Sequence, residues 1–258
     1  MHERLSFYVK RDSPLHRLNP LTKLTLVLSL VLVSFASPWY WTPQFLVVFW
    51  ILPLIFLGKV QREYFSAMLR LILPASGILF LMQVFFLPGE QEIFRIWIFS
   101  ITRESLTSAV TNATRIFLMV SSFTLFLLTT HPSEMMSDLT RRGLPGQFAY
   151  VIISTLQIIP QMQAKAQTII AAQRSRGLDT ESSFAKRVGA LVPLVGPLVF
   201  GSLVEVEERA IAIEARGFTS TRKKTSLHEI PDSGLDKALR WGLILLIVVS
   251  GTSRLFLS

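Results

Sequence analysis

The chain has no cysteine among its 258 residues. This excludes disulfides, thiol chemistry and cysteine metal sites. Charge is also scarce: 17% of residues are Asp, Glu, Lys or Arg, where a soluble domain carries about 25%. The four histidines (His2, His16, His131, His228) sit in polar stretches at no metal-ligand spacing, and exposed or capping roles suit them better. There is no Gly-rich phosphate loop ending in Lys-Ser/Thr, so the chain is not expected to hydrolyse ATP itself. No Ser/His/Asp phrase or zinc-protease motif is found. The reading is therefore of a non-catalytic chain with no cofactor and no metal.

Half of the residues are hydrophobic and the mean hydropathy is +0.47. The apolar residues fall in long blocks, the pattern of an integral membrane protein. A net charge of +9 would suggest nucleic acid for a soluble chain. Here it fits cytoplasmic loops rich in Lys and Arg beside anionic lipid, with no nucleic-acid partner. The first apolar run is a full span, so no cleavable signal peptide is expected after Met1-His2-Glu3-Arg4.

Asn19-Pro20 suits a helix start, with Asn as N-cap and Pro at the first helical position. Spans are expected over residues 22–36, 44–57, 65–87, 105–130 and 238–257. An uncharged aromatic turn, Trp39-Tyr40-Trp41, joins the first two. Pro74 and Gly77 should kink the third or let a neighbour approach. Residues 88–104 mix charges with an apolar piece too short to span, and read as interfacial or re-entrant. His131-Pro132 breaks the chain before a short amphipathic helix over 133–142, opening at Ser133 and stopping at Gly143. Residues 147–176 and 183–216 each read as an apolar start, proline and then polar helix, with a bend at Pro160 in the first. A polar linker over 219–237 includes Arg222-Lys223-Lys224.

The expected fold is all-α: a polytopic membrane protein of about five transmembrane helices plus long cytoplasmic coupling helices. Its domains are 1–130 in the membrane, 131–237 as a partly embedded cytoplasmic coupling region, and 238–258 as a last transmembrane helix. With the N-terminus cytoplasmic, twenty-two of the twenty-six Lys and Arg lie on one side. Arg95, Arg103 and Arg254 fall on the other side, and Arg115 falls mid-span, where a charge faces a partner, a polar cavity or backbone carbonyls, or snorkels to the interface.

Two phrases in the last hundred residues stand out. Arg174-Ser175-Arg176-Gly177 and Ala215-Arg216-Gly217-Phe218 each close a long helical run, and Arg176 and Arg216 are forty positions apart. Arg in a last turn with Gly beyond it is a common helix end, so one such phrase alone says little. Two in matched settings point to protruding contact sites.

The sequence resembles the transmembrane T component (EcfT/CbiQ-like) of energy-coupling factor (ECF) transporters, ABC-type importers of vitamins and transition-metal ions. The resemblance is carried by Ser13-Pro14-Leu15-His16-Arg17-Leu18-Asn19-Pro20, with Asn19 where Asp is usual in the family, and by Leu128-Thr129-Thr130-His131-Pro132-Ser133-Glu134. Ala172-Gln173-Arg174-Ser175-Arg176-Gly177 and Glu214-Ala215-Arg216-Gly217-Phe218 are similar to its two arginine motifs. Residues 161–167 lack the acidic residues often seen ahead of the first motif.

The resemblance implies a coupling subunit for two ATP-binding cassette ATPase subunits and a substrate-binding membrane S component, in the cytoplasmic (inner) membrane. It implies coupling roles for Arg174, Arg176, Gly177, Ala215, Arg216 and Gly217. The alternatives are a stand-alone secondary membrane carrier, which would want paired ionisable residues within its spans, or a conventional ABC permease, which usually shows one coupling loop.

Overall fold

A computed structural model describes residues 8–9, 11–96, 99–177, 184–218, 220 and 232–257, with backbone only for 94–96, 99–100, 184–193 and 255–257. The phrase Arg222-Lys223-Lys224, the tip of the 88–104 segment at Trp97-Ile98, His2, His228 and residue 183 lie outside the described residues. The chain divides into two compact units. One comprises Ser6–Arg142 with Ile230–Ser258, and the other is built on Gly143–Glu229.

In the first unit a short turn of helix, α1 (Pro14–Arg17), precedes α2 (Pro20–Ala36). Asn19 caps α2 as its residue type suggests: its side-chain oxygen accepts from the Leu21 N–H at 3.0 Å, and Pro20 occupies the first helical position. Then come α3 (Thr42–Gly58) and α4 (Gln61–Phe86). Each contains one wide π turn, over Val47–Ile51 and Met68–Ile72, just ahead of Pro53 and Pro74. Proline has no N–H to return to the preceding turn, and a widened turn accommodates the missing bond. The expected kink at Pro74 thus takes the form of a local change of helical pitch.

Residues 88–104 differ from the interfacial or re-entrant reading. They form an antiparallel hairpin of β1 (Glu92–Ile96) and β2 (Phe99–Thr102). The segment is rich in β-branched and aromatic residues, with charges interspersed, which suits a pleated ribbon. Thr102 and Ser105 close it with a capping box that starts α5 (Arg103–Thr129). The short helix α6 (Pro132–Arg141) is capped two residues earlier than expected. The His131 ring nitrogen Nδ1 accepts from the Ser133 N–H at 3.2 Å. The last helix, α9 (Gly234–Leu257), also begins early, inside the stretch read as linker.

Consecutive helices from α2 to α5 alternate in direction. The end of α3 at Gly58 lies against Leu15 and Thr129, so a Cβ there would sit 3.2 Å from the Leu15 side chain. Tyr64 near the start of α4 donates to Ser121 late in α5 at 2.7 Å, while Asn112 earlier in α5 donates to Gln83 at the far end of α4 at 3.1 Å. α2 and α9 run parallel, joined near their starts through Asn19 and Asp236 and near their ends through Phe35 and Arg254.

By length and composition α4 and α5 can cross a bilayer, and α2 and α3 are shorter apolar helices. The core holds Leu30, Val33, Ile51, Ile72, Leu118 and Leu125. Buried among them are Ser29, Ser34, Ser121 and Ser122. Small residues let helices approach closely where lipid removes the hydrophobic drive between them. Phe45, Phe49, Phe56, Leu69, Ile78 and Leu81 point outward, as a lipid-facing surface requires.

The second unit contains α7 (Gly146–Ser175) and α8 (Phe184–Ala215), which pack on each other. Helix α7 is continuous through Pro160. The described residues of this unit have little interior, since only Ala149 and Ser154 are buried.

Candidate functional site: two matched helix ends

Arg176 and Arg216 occupy equivalent places in the second unit. Each is the residue that ends its helix, and each is followed by a glycine in the left-handed region, at φ +90° for Gly177 and +72° for Gly217. A side chain on those residues would be strained, which is why glycine stands there. At the first end the Gly177 N–H returns to the Arg174 carbonyl at 2.9 Å. At the second, Gly217 N–H bonds Glu214 O at 2.8 Å and Phe218 N–H bonds Ile213 O at 3.0 Å. The latter pair is a Schellman closure. The Phe218 ring packs 5.1 Å from the ring of Tyr150.

Arg174, Arg176, Gly177, Ala215, Arg216 and Gly217 are all exposed. Among the described residues, no side-chain hydrogen bond or ion pair engages Arg176 or Arg216. An unengaged guanidinium is a planar fork of donors suited to a carboxylate on another molecule.

The contacts between α7 and α8 repeat the forty-residue offset. Lys165 Nζ pairs with Glu205 at 2.6 Å, and Ser202 Oγ contacts Met162 Sδ at 3.6 Å. Each joins residue i to residue i+40, the offset that relates Arg176 to Arg216. Arg209 adds a bond to Gln161 at 3.4 Å. Lys165 and Glu205 each lie eleven residues before their arginine, about 16 Å of helix at 1.5 Å per residue. The two helices therefore meet at matched positions and run matched lengths to matched ends. The Lys165–Glu205 pair stands where acidic residues were missing from the first helix: the polar contact is made with a lysine on α7 and the acid on α8.

Arg115 lies in the first unit. Its Nε donates to the Ser34 carbonyl at 3.1 Å, one Nη reaches Asn112 Oδ1 at 3.5 Å, and its guanidinium sits over the Phe35 ring at 5.3 Å. Arg254 donates to the next carbonyl, Phe35 O, at 3.0 Å. Two arginines thus meet the open carbonyls of the α2 end, where cations complement the helix dipole. Mid-helix in α5, Arg115 is level with the end of α2.

Three polar ties escaped the sequence reading. Lys23 is 3% exposed and donates to the carbonyls of His16 at 3.1 Å and Thr129 at 2.8 Å. Asp236, also 3% exposed, accepts from the Asn19 N–H at 3.2 Å and the Ser233 hydroxyl at 2.7 Å. Burial pushes the Asp236 carboxyl up, but the bonds from Ser233 and Asn19 outweigh it and hold the pKa below its usual value. Asp232 bridges Arg142 at 3.2 Å and Arg240 at 2.6 Å. Arg142 also pairs with the buried Asp138 at 3.2 Å. Asp232 thereby clasps α9 to the residue where the chain leaves the first unit. Of these, only the Ser233-x-x-Asp236 capping pattern is visible in sequence.

Alternating apolar helices, a lipid-facing surface and a paired set of long exposed helices define an all-α polytopic membrane protein. A profile of the CbiQ family, described as cobalt transport protein, matches residues 11–227. Several relatives carry the name energy-coupling factor transporter transmembrane protein EcfT. The one from Heliobacterium modesticaldum is 33% identical over 247 residues, covering 91% of each chain. That from Limosilactobacillus fermentum is 31% identical over 248 residues, covering 90% of this chain and 92% of its own. That from Lactococcus lactis is 26% identical over 252 residues, covering 94% of each. The chain belongs to the CbiQ/EcfT family, the transmembrane T components of energy-coupling factor transporters.

Proposed function

We propose that this chain is the coupling subunit of an ECF-type importer for vitamins or transition-metal ions, and that Arg176 and Arg216 are its anchors on two ATP-binding cassette ATPase subunits. The supporting observation is the pairing of α7 with α8 at a forty-residue offset, which sets two exposed Arg-Gly ends at equal distances beyond the contact. A pair of similar ATPase subunits calls for such matched ends. ATP-driven closure of the ATPases moves the ends, and the helices carry that motion toward the membrane. Hydrolysis belongs to the partners, and a separate membrane S component captures the substrate. Arg174, two residues before Arg176, adds a second cation to that helix end.

In this reading residues 131–237 form the cytoplasmic coupling region between the membrane domain of 1–130 and the last span of 238–258. The end of the first unit bearing Arg11, Arg17, Arg62, Arg142 and Arg240 faces the cytoplasm, in keeping with the placement of positive charge. The N-terminus is then cytoplasmic and five helices cross the membrane.

The test is to purify the tagged chain in mild detergent from its own host beside an Arg176→Glu, Arg216→Glu variant. The wild type is expected to bring ATPase subunits with it. The variant is expected to lose at least about a hundredfold in binding, the scale of two charge-assisted pairs turned repulsive. Recovery of the ATPases with the variant would overturn the assignment.

A further inference from the structure

A polar pocket lies beside the end of α2 in the first unit. Its volume is about 210 Å³, and it is lined by Pro38, Tyr40, Thr107, Ser108, Thr111, Asn112 and Arg115. No carboxylate is in that lining. Arg115 spends its Nε on Ser34 O and one Nη on Asn112. Its other Nη has no acceptor among the described residues, and neither has the Ser108 hydroxyl. The Thr107 and Thr111 hydroxyls donate to their own helix, and Asn112 Nδ2 donates to Gln83. The pocket thus offers the Arg115 cation and the Ser108 and Tyr40 hydroxyls without protein partners among the described residues, beside Thr107 and Thr111, whose hydroxyls are satisfied within their helix.

The depth of the pocket says what anion reaches it. Trp39, Tyr40 and Trp41 are 69%, 63% and 72% exposed on the adjoining turn. Such a run of uncharged aromatics marks the level of lipid headgroups. Phe35 and Phe45, also exposed nearby in the chain, supply apolar surface for acyl chains. An arginine in an interfacial pocket with a neighbouring hydroxyl fits a phosphate oxygen pair.

We propose that this pocket is a phospholipid site, in which Arg115 and Ser108 bind the headgroup phosphate. The site needs no assumption about ATPase coupling. Arg115 then has two roles: one edge of the guanidinium closes the end of α2 and the other holds the lipid.

The test is thermal unfolding of the delipidated chain in a neutral detergent. Phosphatidylglycerol is titrated against a glucosyl diacylglycerol of the same acyl chains, and separately against millimolar inorganic phosphate. The phosphatidylglycerol is expected to raise the melting temperature saturably, as a ligand of the folded state does, with the glycolipid giving no comparable rise. Ser108→Val, which leaves the Ser34 contact of Arg115 in place, should need about tenfold more lipid for half-saturation, the scale of one charge-assisted bond. Arg115→Lys should weaken it further; if that variant does not fold, Ser108→Val alone decides. Equal stabilisation by the glycolipid, or an unchanged titration in Ser108→Val, overturns the proposal. Saturable stabilisation by inorganic phosphate alone overturns the lipid assignment and makes the site one for free phosphate.

Discussion

The two units of this protein solve different problems. The first buries an apolar core and fastens it with polar groups that have no solvent: Lys23, Asp236, Asp138 and the Tyr64–Ser121 bond. The second, as described, buries only Ala149 and Ser154 and joins its helices through an exposed ion pair and a few side chains. One shape is set by the chain itself. The other presents long faces whose apolar residues, among them Leu156, Val199, Phe200 and Leu203, are left uncovered. Substitutions should therefore register as stability in the first unit and as binding in the second.

The sharpest way to break that contrast is at Asp236. Removing it strands the buried Asn19 N–H and opens the cap made with Ser233, so Asp236→Ala should cost about 3 kcal/mol of stability, read by thermal or denaturant unfolding in detergent. Its depressed pKa fixes the sign with pH. The stabilisation is present above the unfolded carboxylate value and is lost as pH falls through the lower, folded one. The wild type should therefore lose its advantage over the variant only in strong acid.

Asp232→Asn comes next. It weakens two bonds to arginines, one of them to Arg142, whose side chain is 40% exposed. A loss of about 1–2 kcal/mol is expected. A coupled loss of transport beyond that of equally destabilised variants would show that the clasp also transmits motion.

The smallest effect is expected at Lys165 and Glu205, where the pair is exposed. Glu205→Lys should change stability by less than about 1 kcal/mol. The exchange Lys165→Glu with Glu205→Lys should restore whatever assembly the single variant loses, a result that isolates the pair.

Sequence patterns reached the helices of both units because their apolar runs are long and their ends carry readable signals. Asn19-Pro20, His131-Pro132 and the two Arg-Gly phrases are local, and each marks a helix boundary in the structure. The hairpin at Glu92–Thr102 was missed because a short apolar piece with scattered charge is ambiguous between an interfacial segment and a β-ribbon. The start of α9 was missed because Asp232-Ser233-Gly234 looks like linker, although Ser233 and Asp236 spell a cap. In sequence Lys23 is only one of the twenty-two cations placed on the cytoplasmic side, yet its partners are carbonyls at His16 and, 106 residues away, Thr129. Such ties depend on tertiary neighbours and have no local signature. The repeat in the second unit was visible as two phrases, but its meaning rests on the i to i+40 contacts.

The absence of cysteine allows a direct test of the matched ends. Ser175→Cys and Ala215→Cys place single thiols at equivalent exposed positions, each beside an intact arginine. Native membranes from each variant would be treated with a short bis-maleimide and the products identified. The account predicts that both positions link to an ATP-binding cassette ATPase subunit with comparable yield. Linkage at one end only, or at neither, would contradict it.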